Sequence, residues 1–265
     1  MALRERQGVL MEATLVDTHA HLDFPELARD LASVLDRASR AGVREIVTIG
    51  IDLESSRKAV KLAGEHDRIY AAVGIHPHGA RRIDDATLDS LRSLAGRDKV
   101  VAIGEIGFDR QTDEEEAAIR AQLKLAKRFD MPVLVHLPHQ FKKQGTERTL
   151  RVVADEQMNP DRVLLDHNTE ETMPLYAGTK YWRGMSIYPV TKLSVERAAN
   201  IVEQYGVDRL LVNSACDWGP SDPLNVPKLV RELLRRNLSR DLIEQLVFRN
   251  PIAFFGQSDR WTFRP

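Results

Sequence analysis

The chain of 265 residues has a single cysteine, Cys216, so no disulfide can form within it, and that points to a reducing compartment. It lacks an excess of either charge: 38 lysines and arginines face 39 acids, a formal net charge of -1. That balance excludes a surface coated with basic residues to grip nucleic acid or anionic lipid indiscriminately. It leaves open an anionic ligand held by metal ions. No apolar run approaches the length of a bilayer span, so no membrane partner is expected. The opening MALRERQGVL has neither the apolar stretch nor the small-residue cleavage site of a secretion signal. A cytoplasmic location is therefore expected, with residues 1–13 read as an N-terminal extension and 259–265 as a C-terminal tail. No linker, repeat or low-complexity stretch divides the chain, and no motif calls for an obligate protein partner.

What is present is ordinary globular composition: 43% hydrophobic, 29% charged and a mean hydropathy of -0.34. Length and composition suit one domain with a full core. Short runs rich in Val, Ile and Leu predict buried parallel strands over 14–17, 44–49, 69–74, 100–104, 132–136, 162–166, 181–187 and 209–213. Amphipathic stretches lie between most of them. Leu27, Leu31, Val34, Leu35 and Ala38 recur at helical spacing before Gly42. Thr112 and Glu115 form a capping-box signature for a helix running to about Phe129. Further helices are expected before Gly206, over 226–236 and over 241–256. Eight strands alternating with helices or loops predict an α/β fold, a (β/α)8 TIM barrel forming a single domain over 14–258. An open doubly wound sheet is the competing architecture, but its glycine-rich phosphate turn is missing: the first strand runs into Asp17-Thr18-His19-Ala20-His21.

A barrel gathers its chemistry at the carboxyl ends of its strands. Five of eight histidines fall at or just past such an end: His19, His21, His76, His136 and His167. Residues two apart in an extended segment face the same way, so His19 and His21 can address one ion. Each histidine alone has a bland reading as a hydrogen-bonded core residue; three strands converging on one barrel mouth make a ligand set. Glu105 ends an apolar run where a carboxylate needs a partner, either a metal or a neighbouring arginine. Gly104 and Gly107 beside it admit close approach of backbone or substrate. After the last strand, Asp217 is the candidate acid for touching a metal and taking a proton from its water, unless it only shapes the turn before Trp218.

Four segments then carry a resemblance: Asp17-Thr18-His19-Ala20-His21-Leu22, Gly74-Ile75-His76-Pro77-His78, Ala102-Ile103-Gly104-Glu105-Ile106-Gly107 and Pro132-Val133-Leu134-Val135-His136. In order, they resemble motifs of the TatD-like metal-dependent hydrolases, barrels of the amidohydrolase type. Asn250-Pro251-Ile252-Ala253-Phe254-Phe255-Gly256 is similar to the family's closing helix. The resemblance implies one or two divalent cations (zinc, manganese or magnesium) on His19, His21, Glu105, His136 and His167, with His76 near the substrate. The second half departs from the family. His136-Leu137-Pro138-His139 stands for His-Ser-Arg, His167-Asn168-Thr169-Glu170-Glu171 for His-Cys-Phe-Ser-Gly, and Asn213-Ser214-Ala215-Cys216-Asp217 for Glu-Thr-Asp. Ungapped counting puts the family's aspartate on Ala215; Asp217 lies one strand period further and takes its place in this reading.

The expected activity is therefore hydrolysis by metal-activated water, with Asp217 as ligand and general base and Glu105 bridging. The expected substrate is a phosphodiester in short nucleic acid, as for a deoxyribonuclease. A small-metabolite amide, ester or lactone is the alternative, and an inactive metal-binding scaffold the second. His76, His139 and Trp218 are the candidate substrate contacts. Lys142, Lys143, Arg148 and Arg151 either meet phosphates or form a solvated helix face.

Overall fold

A computed structural model describes residues 14–217, 219 and 223–263. The expected contact Trp218 lies outside the described residues. Eight parallel strands run in sequence order: β1 Leu15–Ala20, β2 Val43–Ile49, β3 Ile69–Val73, β4 Val100–Gly107, β5 Val133–His136, β6 Val163–Asp166, β7 Trp182–Ser186 and β8 Leu210–Asn213. Each neighbour pairs in parallel, and a bridge between Ala20 and Cys216 joins the two ends into a barrel. Ala215 N–H donates to the His19 carbonyl at 2.9 Å and His21 N–H to the Cys216 carbonyl at 2.8 Å, so the seam runs through the first histidine pair.

The helices start where their capping residues stand. Thr112 and Glu115 exchange hydrogen bonds across the first turn of the helix Asp113–Phe129. Asp52 and Ser55 make the same exchange at the helix Leu53–Glu65, and the Ser194 hydroxyl accepts from Arg197 N–H at the start of the helix Val195–Tyr205. Two expected helices differ in detail. The first splits into Pro25–Ala28 and Leu31–Arg40, and the stretch 240–255 is interrupted by a π-helical turn, Gln245–Arg249. After β6 the connection forms only a short 3-10 turn, Met173–Tyr176. Its polar run His167-Asn168-Thr169-Glu170-Glu171 supplies no apolar stripe for a helix to bury.

Strand alternation sorts the core in two. Ile69, Ala71 and Val73 pack outward with the helices, whereas Tyr70 and Ala72 face the barrel interior with Val47, Ile49, Leu134, Leu164 and Leu211. The amino end of that interior is plugged by Phe254, Phe255 and Trp261, the last stacked on Tyr70 with ring centroids 4.1 Å apart. Following the same parity toward the carboxyl end, Leu134 leads to His136, Leu164 to Asp166, Gly184 to Ser186 and Leu211 to Asn213. The fold thus builds a polar layer on top of an apolar one.

Candidate metal centre

At the carboxyl ends, Glu105 of β4 stands among imidazoles from β1, β5 and β6. Its Oε1 lies 2.7 Å from His136 Nδ1 and 2.6 Å from His167 Nε2. Its Oε2 lies 3.5 Å from His19 Nε2 and 3.9 Å from His21 Nε2. One carboxylate therefore serves two histidine pairs, one with each oxygen. Potential ligand atoms form two groups that share it: His19, Glu105 and His167, and His76, Glu105 and His136. All five residues are buried.

Local backbone makes this possible. A side chain on Gly107 would place its Cβ 2.2 Å from the His136 carbonyl oxygen, so glycine lets β4 and β5 approach beneath the two ligands. Regular alternation would turn His167 away from the axis, because Asp166 already faces inward. Instead His167 adopts a left-handed backbone, φ 69°, a conformation that costs a residue with a Cβ about 1 kcal/mol or more. Both side chains then face the interior. Buried Lys142 donates to the His167 carbonyl at 3.0 Å and secures the turn. Burial lowers the Lys142 ammonium to about 8.

Hydrogen bonds fix which nitrogen faces the centre. His19 Nδ1 donates to Asp166 Oδ2 at 2.8 Å, and His21 Nδ1 donates to the Ile49 carbonyl at 3.0 Å. The two Nε2 atoms meet 3.1 Å apart, where two lone pairs would repel unless a cation lies between them. Protonation of one ring satisfies the pair minimally. Burial alone would lower His19, but Glu105 and Asp166 outweigh it and raise it to about 9. Burial and the neighbouring His19 lower His21 to about 4. Burial opposes ionisation of Glu105, yet His19, His136 and His167 hold it well below the usual carboxylate range. The buried Nε2 of His136 has no hydrogen-bond partner among the described residues. An anionic carboxylate, imidazole lone pairs converging from several strands and an orphaned ring nitrogen fit a divalent cation better than they fit a salt bridge.

A supporting ring lies behind these groups. Asp166 accepts from His19 and, at 3.1 and 2.9 Å, from the Asn213 amide on β8. Burial resists its ionisation, but His167 and His19 keep it charged, below its ordinary value. Carboxylates in this position orient imidazole ligands and strengthen them as donors. Ser186 Oγ meets His167 Nδ1 at 2.6 Å. A side chain on Gly184 would put its Cβ 2.2 Å from Asp166 Oδ1, so β7 keeps glycine there.

The remaining expected residues sit differently. Asp217 joins neither group among the described residues: its Oδ1 accepts from the Tyr188 hydroxyl at 3.0 Å and from Gly219 N–H at 2.8 Å. Strand β8 ends on Asn213 rather than an acid, and Ala215, with φ 43°, turns the chain into the seam with β1 before Asp217 is reached. His76, expected at the substrate, is a member of the second group. His139 stands exposed at the rim with its ring 5.6 Å from that of His136. Lys142 points inward, and Arg148 is held by Glu116 and Asp113, so neither belongs to a phosphate-facing helix surface. Sequence reading passed over Asp166, Ser186 and Asn213, although period-two counting from Leu164, Gly184 and Leu211 finds all three.

A parallel eight-stranded barrel with a carboxylate shared between two histidine groups at its carboxyl end has the form of a metal-dependent hydrolase. Residues 16–256 match the model of the TatD-related DNases, and the chain belongs to that family. It is 29% identical over 231 residues to the uncharacterized metal-dependent hydrolase YabD of Bacillus subtilis, covering 82% of this chain and 87% of YabD. It is 38% identical over 127 residues to the 3'-5' ssDNA/RNA exonuclease TatD of Enterobacter lignolyticus, covering 46% of this chain and 49% of that one. The solved structure of the TatD homologue YjjV from Escherichia coli superposes with a TM-score of 0.73 at 25% identity, covering 91% of this chain and 98% of YjjV.

Proposed function

We propose that the protein hydrolyses phosphodiesters in short or single-stranded nucleic acid, using one or two divalent cations held by His19, His21, Glu105, His76, His136 and His167. The observation that carries this reading is the two-sided Glu105, with one oxygen toward His136 and His167 and the other toward His19 and His21. A cation bound there lowers the pKa of a water and polarises the scissile group. The protein's own groups do the rest. Asp166 fixes the His19 ring, the Ile49 carbonyl fixes His21, and Ser186 fixes His167. Asp217 keeps Oδ1 bonded to Tyr188 and Gly219 and offers Oδ2 as proton acceptor for the attacking water. The relative that acts 3'-5' on ssDNA and RNA supports the substrate class. The near-neutral surface limits it to ends or short segments, since few phosphates can be gripped away from the centre. No helix among the described residues is long and apolar enough to cross a membrane, and the single buried free cysteine agrees with a cytoplasmic setting.

One observation favours a second reading, hydrolysis of an amide, ester or lactone in a small metabolite: the segments after β5, β6 and β8 that meet a substrate depart from the family's motifs. A panel separates the two. Single-stranded DNA, a nitrophenyl phosphodiester and simple amides are each assayed with manganese or zinc. Turnover of the phosphodiesters, nearly abolished in Asp217→Asn with metal content retained, is the expected result. Silence on both phosphodiesters with turnover of an amide reverses the assignment, and full activity of Asp217→Asn removes the proposed base.

A further inference from the structure

The loop after β7 carries a charged group that the chemistry above does not use. Between Tyr188 and Leu193 the chain folds back on itself: Lys192 N–H donates to the Tyr188 carbonyl at 2.9 Å, Tyr188 N–H to the Leu193 carbonyl at 2.9 Å, and Ile187 bridges Leu193. From outside, Arg197 donates to the Lys192 carbonyl at 2.8 Å while its guanidinium grips both oxygens of Glu170 at 2.9 and 2.6 Å. The backbone of Lys192 is thus fastened from both sides, to the β7 strand and to the loop after β6.

Its side chain is directed into the mouth of the barrel. The ammonium lies 5.4 Å from the centre of the Tyr188 ring, whose hydroxyl reaches Asp217. It is close enough to the centre for its charge to bear on His21, His139 and His167, and for Glu105, Asp166 and Asp217 to act back on it. Yet Lys192 makes no side-chain hydrogen bond or ion pair among the described residues, although Lys142, its cationic neighbour, is anchored on two carbonyls. A half-buried ammonium with three donors has only the Tyr188 ring beside it, its donors unused by the described residues, and loop and clamp hold it there. Burial lowers its pKa, while the three carboxylates counter that and favour the charged form.

We propose that Lys192 is the substrate-positioning cation of this site, receiving a non-bridging oxygen of a phosphate ester while the scissile bond lies over the Glu105 centre. The inference rests on the phosphodiester reading and deepens it: an anion pairs the Lys192 charge, whereas a neutral amide offers only a carbonyl acceptor and leaves that charge unpaired. A compact ammonium suits a single phosphoryl oxygen.

The test separates binding from turnover. Inorganic phosphate is titrated calorimetrically into the metal-loaded wild type, Lys192→Met and Lys192→Arg, with metal content and melting temperature checked for each. The same three proteins are assayed for KM and kcat on bis(p-nitrophenyl) phosphate and on p-nitrophenyl acetate. Lys192→Met should weaken phosphate about 10- to 100-fold, the range for one charged hydrogen bond, and raise KM for the diester with a smaller change in kcat. Lys192→Arg should recover most of that loss, and KM for the neutral acetate should not move. Equal phosphate affinity in wild type and Lys192→Met overturns the proposal, as does an absence of phosphate binding in both. Phosphate discrimination without diester turnover sustains Lys192 and sinks the phosphodiester reading instead.

Discussion

The two ends of the barrel interior solve opposite problems with the same alternation. At the amino end, Phe254, Phe255 and Trp261 seal the interior with stacked rings, the indole lying on Tyr70. At the carboxyl end, the inward positions two residues further along β5, β6, β7 and β8 hold His136, Asp166, Ser186 and Asn213. One end excludes water by contact. The other gathers buried charge that only mutual bonding and a cation make tolerable. The difference teaches that stability and chemistry are assigned to separate ends, so substitutions should divide accordingly.

Glu105→Gln removes the charge that both histidine groups share. Metal affinity and kcat/KM should fall about 10³-fold or more, measured by metal content after dialysis and by phosphodiester turnover. A variant that keeps its ion and a tenth of its activity would break the assignment of chemistry to this end. At the opposite end, Trp261→Ala should cost about 3–5 kcal/mol in denaturant unfolding while the folded fraction keeps its metal and its KM. Loss of metal affinity without loss of stability would show that the ends are not separable. Asp166→Asn lies between these cases: it weakens the orientation of His19 and should lower metal affinity about 10- to 100-fold. The readout is chelator competition, and unchanged affinity would make Asp166 merely structural.

The smallest effect tests whether a buried acid is tolerated far from the centre. Glu45 on β2 shares the inward parity of Val47 and Ile49, is buried, and leaves Oε2 without a hydrogen-bond partner among the described residues. Burial raises it to about 7, with Arg68 and Lys99 pulling the other way. Because this folded value exceeds the ordinary one, Glu45 is least costly below pH 4.5 and loses stability as pH rises through 7. Glu45→Gln should therefore match the wild type at low pH and exceed it by up to about 2 kcal/mol above pH 7, after discounting for water access. A flat difference across that range would contradict the raised value.

Much of this was legible in the chain. The eight strands fall within a few residues of their expected bounds, because Gly and Pro punctuation and short Val/Ile/Leu runs leave little choice. Strands β1 and β4 extend further than read, carrying His19 and Glu105 inside the strand, since a polar residue stops an apolar run without stopping a strand. The histidines and Glu105 stood out because rare residue types landed at strand ends. Asp166 did not, being masked by the neighbouring His167, and the left-handed turn that lets both face inward has no sequence signature when a histidine occupies it. Lys192 sits in a loop, where no periodicity marks direction. Residues 259–265 read as a tail, yet Trp261 within them is fully buried; a lone indole after a polar run gives no sign of which surface it will cover.

The seam between β1 and β8 makes the first ligands depend on the last strand. Thr18 donates to the Val212 carbonyl, 194 residues away in sequence, and the backbone bonds of His19 and His21 are completed only by Ala215 and Cys216. Asp166, which aims His19, is itself steadied by Asn213 at the end of β8. On a ribosome the first ligands are made early, but their final geometry waits for the last strand. A chain interrupted before β8 would lack the partners that complete the His19 and His21 backbone and steady Asp166, so its histidines would stand without their final geometry.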